Sequence, residues 1–120
     1  MTDPLNKNNV LESVYNVICA RVKERPEKSY VVSLFDKALE KILSKVEEES
    51  LEVLEAAREP GDEGTNHLKN EICDLFFHTL VLAAFKGIPF SQVEAELIKR
   101  FGLSGIEEKE SRKGKNNDHK

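Results

Sequence analysis

Glu71-Ile72-Cys73-Asp74-Leu75-Phe76-Phe77-His78-Thr79-Leu80-Val81-Leu82-Ala83-Ala84-Phe85 is the stretch on which the fold turns. Residues 72–85 are apolar nearly all round, the pattern of a central helix buried on most sides. Gly87 and then Pro89 supply its stop. The longest unbroken apolar run, residues 80–85, is far below the ~18 residues of a membrane span, which points to a core helix. Asp74 and His78 interrupt this run. An unpaired carboxylate on a buried helix is costly, so Asp74 is expected to have a partner.

Outward from this helix the chain reads as further helices. The central one is expected to start near Asn66, after the Pro60-Gly61 break. Before that break, Leu39, Ile42, Val46, Val53 and Ala57 form the apolar stripe of a helix over about residues 33–59. Ser33 is its N-cap candidate, Asp36 lies three residues on, and a break near Ala38 is allowed for. Leu11, Val14, Ile18 and Val22 mark a helix over about residues 9–25, ended by Pro26. A short last helix has Ser91 as cap, Glu94 as its boxed partner and Gly102 as its close. Tyr30-Val31-Val32 is the one short strand-like run. The expected fold is therefore all-α, a bundle of about four helices. Residues 1–110 are read as one domain and residues 111–120, polar and charged, as a flexible tail.

Composition supports one small globular domain. The chain has 120 residues, of which 33% are charged and 39% hydrophobic, a balance that suits neither a membrane protein nor a disordered one. The N-terminus has no apolar signal core, so the chain is expected to remain in the cytoplasm. Cys19 and Cys73 make neither a disulfide framework nor a zinc-site spacing, and suit a reducing compartment. Net charge is −4, which argues against a nucleic-acid partner. The acids are concentrated: residues 47–63 hold Glu47, Glu48, Glu49, Glu52, Glu55, Glu59, Asp62 and Glu63 against Arg58 alone. Water or cations must offset that density.

Residues three and four apart share a helix face. Glu48 and Glu49 are therefore co-facial with Glu52, and Glu71 with Asp74, with His78 one turn beyond. If the two helices pack antiparallel, these carboxylates converge, and a cation is needed to join them. All-oxygen ligation suits Mg²⁺ or Mn²⁺ rather than zinc. Such a centre polarises a phosphoanhydride, and a spare carboxylate takes the proton from attacking water. The absence of a Gly-rich phosphate loop argues against a P-loop site. Alone, Glu48-Glu49-x-x-Glu52 reads as a solvated face; with Glu71-x-x-Asp74 in an apolar helix, the cation cage and the solvated face both stand. His78 reads either as a hydrogen-bonded core residue or as a group that orients a carboxylate. Lys41 and Lys45 lie on the Glu49 side, one and two turns earlier.

Four ordered segments carry a resemblance. Residues 29–43, from Ser29-Tyr30-Val31-Val32-Ser33-Leu34-Phe35 onward, resemble the Ser-Tyr-Thr-x-Ser-Leu-Phe-x-Lys-Gly-x-x-Lys-Ile segment of the phosphoribosyl-ATP pyrophosphatase family. Lys45-Val46-Glu47-Glu48-Glu49-Ser50-Leu51-Glu52-Val53 resembles its Lys-x-Gly-Glu-Glu-x-x-Glu-Val motif. Residues 70–82 resemble its Glu-x-x-Asp-Leu-x-Tyr-His-x-Leu-Val-Leu helix, and Ser104-Gly105-Ile106-Glu107-Glu108-Lys109-Glu110-Ser111-Arg112 its Ser-Gly-x-x-Glu-Lys-x-x-Arg end.

The resemblance implies a MazG-like all-α fold completed by oligomerisation, as a homodimer or larger homo-oligomer. It implies Mg²⁺-dependent hydrolysis of phosphoribosyl-ATP to phosphoribosyl-AMP and pyrophosphate, the second step of histidine biosynthesis. By it Glu49, Glu52, Glu71 and Asp74 match the metal ligands, Glu48 an added ligand or the catalytic base, and Lys41, Lys45 and Arg112 phosphate contacts. A house-cleaning nucleoside triphosphate pyrophosphohydrolase is the alternative within this class, and a non-enzymatic helical interaction module the alternative outside it. Glu47 and Ala38 stand where the family pattern usually has Gly, and Phe77 where it has Tyr. Glu47 is expected to weaken activity without abolishing the fold, and Ala38 to merge two helical segments.

Overall fold

The computed structural model describes residue 5 and residues 8–102. They form four helices: α1 (Val10–Glu24), α2 (Tyr30–Ala57), α3 (Gly61–Phe85) and α4 (Phe90–Phe101). The described residues contain no strand, so the all-α expectation holds. Two compact units result, one ending at Gly87 and holding α1 to α3, the other beginning at Ile88 and holding α4. The expected tail, together with the motif at residues 104–112, lies outside the described residues.

In the first unit α2 and α3 make the principal contact, and α1 packs against both. Only residues 58–60 join α2 to α3, so the chain reverses and the helices run antiparallel. The pairings follow that register. Near the turn Glu59 meets His67, at mid-helix Glu49 meets Asp74, and at the far end Tyr30 meets His78. Ile18, Val31, Leu34, Ile42, Ala56, Leu80 and Val81 are the buried apolar residues of this unit. In α4 the buried one is Phe90.

Helix starts differ from the sequence reading. Ser29, not Ser33, caps α2, its side chain accepting from the Val32 N–H at 3.2 Å. Burial of Val31 and Leu34 draws the strand-like Tyr30-Val31-Val32 into the first turn, so tertiary packing overrides β-propensity. The start of α3 lies at Gly61 rather than Asn66, with Asp62 and Glu63 in the first turn, where acids favour the helix dipole. Pro89, not Ser91, occupies the N-cap position of α4, and no side chain caps that helix.

Ala38 does not merge two segments. The backbone breaks there, at φ 73° and ψ −168°, and kinks α2. This conformation is essentially confined to glycine, so Ala38 is strained. Just before the kink, Asp36 pairs with Arg25 at the end of α1, whose Nη2 lies 2.9 and 3.0 Å from the two carboxylate oxygens. Both partners are exposed, so the pair positions the segment more than it stabilises it.

The central helix is less enclosed than its sequence suggests. Phe76 of α3 is 49% exposed, and Leu51 and Leu54 of α2 are more exposed still. Asp74 is exposed as well. Among the described acids of this unit Glu49 is the buried one, at 6% exposure.

Candidate metal centre

Glu49 lies in the seam of α2. Ile42, Val46, Glu49, Val53 and Ala56 follow one another at alternating spacings of four and three, and each is buried or half-buried. A carboxylate thus occupies a position where the seam otherwise carries apolar side chains. Opposite it, α3 presents Glu71 and, one turn on, Asp74. One oxygen from each of Glu49, Glu71 and Asp74 lies within 4.8 Å of the other two. Glu48, Glu49 and Glu52 form a second such group, with Glu49 shared. The four carboxylates expected to converge are therefore brought together, with Glu48 beside them.

Oε1 of Glu49 and Oε1 of Glu71 are buried and have no hydrogen-bond partner. Burial pushes the Glu49 carboxyl above its ordinary value, and the like charges of Asp74 and Glu52 push it further. The Glu52 carboxyl is also raised, first by its contact with the Glu71 carboxylate. Carboxylates this close need a proton or a cation between them. Two unpartnered buried oxygens and an all-carboxylate donor set fit a hard divalent cation of the Mg²⁺ or Mn²⁺ kind.

Lys45 and Glu48 form an ion pair at 3.1 Å, and that bond raises the lysine above its ordinary value. Lys41 is exposed one turn earlier. Arg112 lies outside the described residues. Glu47 is exposed and, with Ser44, Glu48, Leu51, Glu52 and Glu55, lines a shallow acidic groove along α2.

His78 is buried, and its contact with Asp74 runs to the backbone. Nδ1 lies 2.9 Å from the Asp74 carbonyl oxygen and Nε2 lies 2.8 Å from the Tyr30 hydroxyl. A carbonyl only accepts, so Nδ1 donates to Asp74, while Nε2 and the Tyr30 hydroxyl share the second bond. The imidazole thereby ties the start of α2 to the Asp74 turn. Tyr30 stacks on Phe77, and burial raises its hydroxyl pKa, with Glu48, Glu49 and Asp74 adding to the shift.

Two residues beside the centre escape the sequence reading. Tyr30 reads as part of a strand-like run and of the first family-like segment, with no role of its own. His67 stands four residues before Glu71, a helical-neighbour signal the sequence does carry. Its Nε2 lies 3.2 Å from Glu71, its Nδ1 lies 2.9 Å from Glu59, and the Glu59 bond raises its pKa.

Two helices that converge carboxylates in this way offer a site for a hard cation. Residues 11–101 match the family model described as phosphoribosyl-ATP pyrophosphohydrolase, and the chain belongs to that family. A Hydrogenovibrio crunogenus protein named phosphoribosyl-ATP pyrophosphatase is 44% identical over 106 residues, covering 88% of this chain and 94% of its own. The Pelobacter propionicus protein of the same name is 45% identical over 107 residues, with 88% and 95% covered. The Clostridium acetobutylicum one is 45% identical over 96 residues, with 80% and 84% covered. No solved structure gives a significant match. Membership in an enzyme family sets aside the non-enzymatic helical module. No single described helix is long and apolar enough to cross a membrane.

Proposed function

We propose that this protein hydrolyses phosphoribosyl-ATP to phosphoribosyl-AMP and pyrophosphate, the second step of histidine biosynthesis, in the cytoplasm. The observation that carries the reading is the buried, unpartnered Glu49 oxygen in the seam, facing Glu71 and Asp74. The substrate follows from the names of the relatives.

Glu49, Glu52, Glu71 and Asp74 would hold Mg²⁺, or Mn²⁺ in its place. Once bound, the ion would supply Lewis acidity to the phosphoanhydride oxygens. Glu48 is the general base. It is half exposed, so water reaches it, and Lys45 fixes its position. Water attacks phosphorus, its proton passes to the Glu48 carboxylate, the P–O bond breaks and pyrophosphate leaves. Lys45, Lys41 and Arg112 supply positive charge to the phosphates. His78 acts through Tyr30 and the Asp74 turn, keeping α2 and α3 in register at the centre. Pyrophosphate release from phosphoribosyl-ATP, ATP and dUTP in parallel, with Mg²⁺, tests the substrate. Release from phosphoribosyl-ATP alone is expected. Release only from the others assigns the centre to nucleoside triphosphate house-cleaning.

Glu47 adds negative charge to the groove beside Glu48 and Glu52, where phosphates must approach. Removing an exposed like charge is worth up to about 1 kcal/mol, or roughly fivefold. Glu47→Gly and Glu47→Gln should therefore each raise kcat/KM about two- to fivefold, the second without loosening the helix. Unchanged affinity and turnover in both would sink this role for Glu47.

Leu51, Leu54 and Phe76 are apolar surface that a second copy covers, in line with a homodimer. Light scattering on the full chain should give at least twice the 13.6 kDa chain mass. A monomer at working concentration contradicts the assembly.

A further inference from the structure

Glu59, His67 and Glu71 form a line of contacts that ends at the proposed centre. Gly61, at φ 75°, turns the chain into α3 directly after Glu59 and Pro60. A side chain at Gly64 would overlap the Glu59 carbonyl, so glycine there lets the end of α2 lie against the first turn of α3. This brings the Glu59 carboxylate 2.9 Å from His67 Nδ1, while His67 Nε2 meets Glu71 Oε2 at 3.2 Å. The remaining oxygen of Glu71, Oε1, is the buried and unpartnered one. Neither Glu59 nor His67 belongs to either carboxylate group of the centre.

We propose that His67, itself held by Glu59, is a positioning residue for Glu71: it engages one carboxylate oxygen so that the other is presented to the cation. The inference rests on the proposed metal role of Glu71. A free glutamate side chain loses rotamer entropy when it is fixed. A ring that fixes it before the ion arrives removes part of that cost from binding. Hydrogen bonds to a ligand carboxylate typically set metal affinity by about 10- to 100-fold. As a simple surface pair, with His67 and Glu59 41% and 46% exposed, the contact would matter little. The two roles are therefore separated by metal affinity rather than by stability.

The test is Mn²⁺ binding to the full chain, read by the loss of the free-ion electron paramagnetic resonance signal. The variants are His67→Ala, His67→Gln, Glu59→Ala and, as control, Glu49→Gln. His67→Ala should weaken binding about 10- to 100-fold, and Glu59→Ala less, in the same direction. His67→Gln should recover to within a few-fold of wild type, because its amide N–H still reaches a glutamate four residues on. Equal affinity in His67→Ala and wild type overturns the proposal, as does a glutamine variant no better than alanine. If His67→Ala does not fold, unchanged binding in Glu59→Ala together with loss in His67→Gln overturns it. Loss of Mn²⁺ in Glu49→Gln with none in the His67 variants fails this inference alone. Full binding in Glu49→Gln fails the metal reading on which it rests.

Discussion

Glu49→Gln should abolish stabilisation by Mg²⁺ or Mn²⁺, cut pyrophosphate release by about 10²- to 10³-fold or more, and yet raise the melting temperature of the metal-free protein. The three effects share one cause. Glu49 is a carboxylate in an apolar seam, 6% exposed, with one oxygen lacking a partner. Burial raises its pKa above the ordinary 4.5, so the folded state holds that proton more tightly than the unfolded chain does. The stability this carboxyl contributes is present below its unfolded pKa and lost as pH rises through the raised folded value. At neutral pH without metal, the buried charge therefore opposes folding. Glutamine keeps the shape without the charge, and about 1 kcal/mol of relief is expected, or about 4 °C in Tm. The gap between variant and wild type should close as pH falls through the raised pKa. Wild type regains the difference from a cation: at a concentration 100 times its Kd a bound ion adds about 2.7 kcal/mol, and the glutamine variant gains none. Melting curves across pH, with and without Mn²⁺, check all three points. A metal-free variant less stable than wild type, or one still stabilised by Mn²⁺, contradicts the assignment.

Ala38→Gly should stabilise the protein, although the same exchange inside a helix ordinarily costs about 1 kcal/mol. The sign reverses because residue 38 sits at φ 73° and ψ −168°. A non-glycine residue there costs about 1–3 kcal/mol, more than the roughly 0.5–1 kcal/mol that glycine's extra freedom in the unfolded chain takes away. A net gain near 1 kcal/mol is expected, about 4 °C or more in Tm. Ala95→Gly, at an exposed position within α4, is the control and should lower Tm. If Ala38→Gly lowers Tm as the control does, residue 38 is helical in solution and the kink is absent.

The helices were legible because apolar spacing in residues 9–101 is helical and because Pro26, Pro60-Gly61, Gly87 and Pro89 punctuate it. Their starts were less so. Ser29 and Ser33 are both plausible caps, and the choice between them is made by burial of Val31 and Leu34, a tertiary effect. The buried acid among the described residues is Glu49 rather than Asp74. Asp74 looked buried because α3 is apolar all round, but part of that surface faces outward in one chain, as Phe76 does. Glu49 looked solvated because it lies in an acidic run. The spacing of Ile42, Val46, Val53 and Ala56 places it in the seam, whereas the stripe that ends at the exposed Ala57 does not. Convergence of Glu49, Glu52, Glu71 and Asp74 could be read because both motifs are co-facial and the helices antiparallel. The link from Glu59 through His67 depends on a tight turn and on a glycine that allows close approach, which no periodicity reveals.

Anomalous diffraction from crystals of the full chain grown with Mn²⁺ locates the ion. A peak is expected between the carboxylates of Glu49, Glu71 and Asp74, with any second peak beside Glu48 and Glu52 sharing Glu49. Mn²⁺ found only along the outer groove at Glu47 and Glu55, or not bound at all, contradicts the metal assignment.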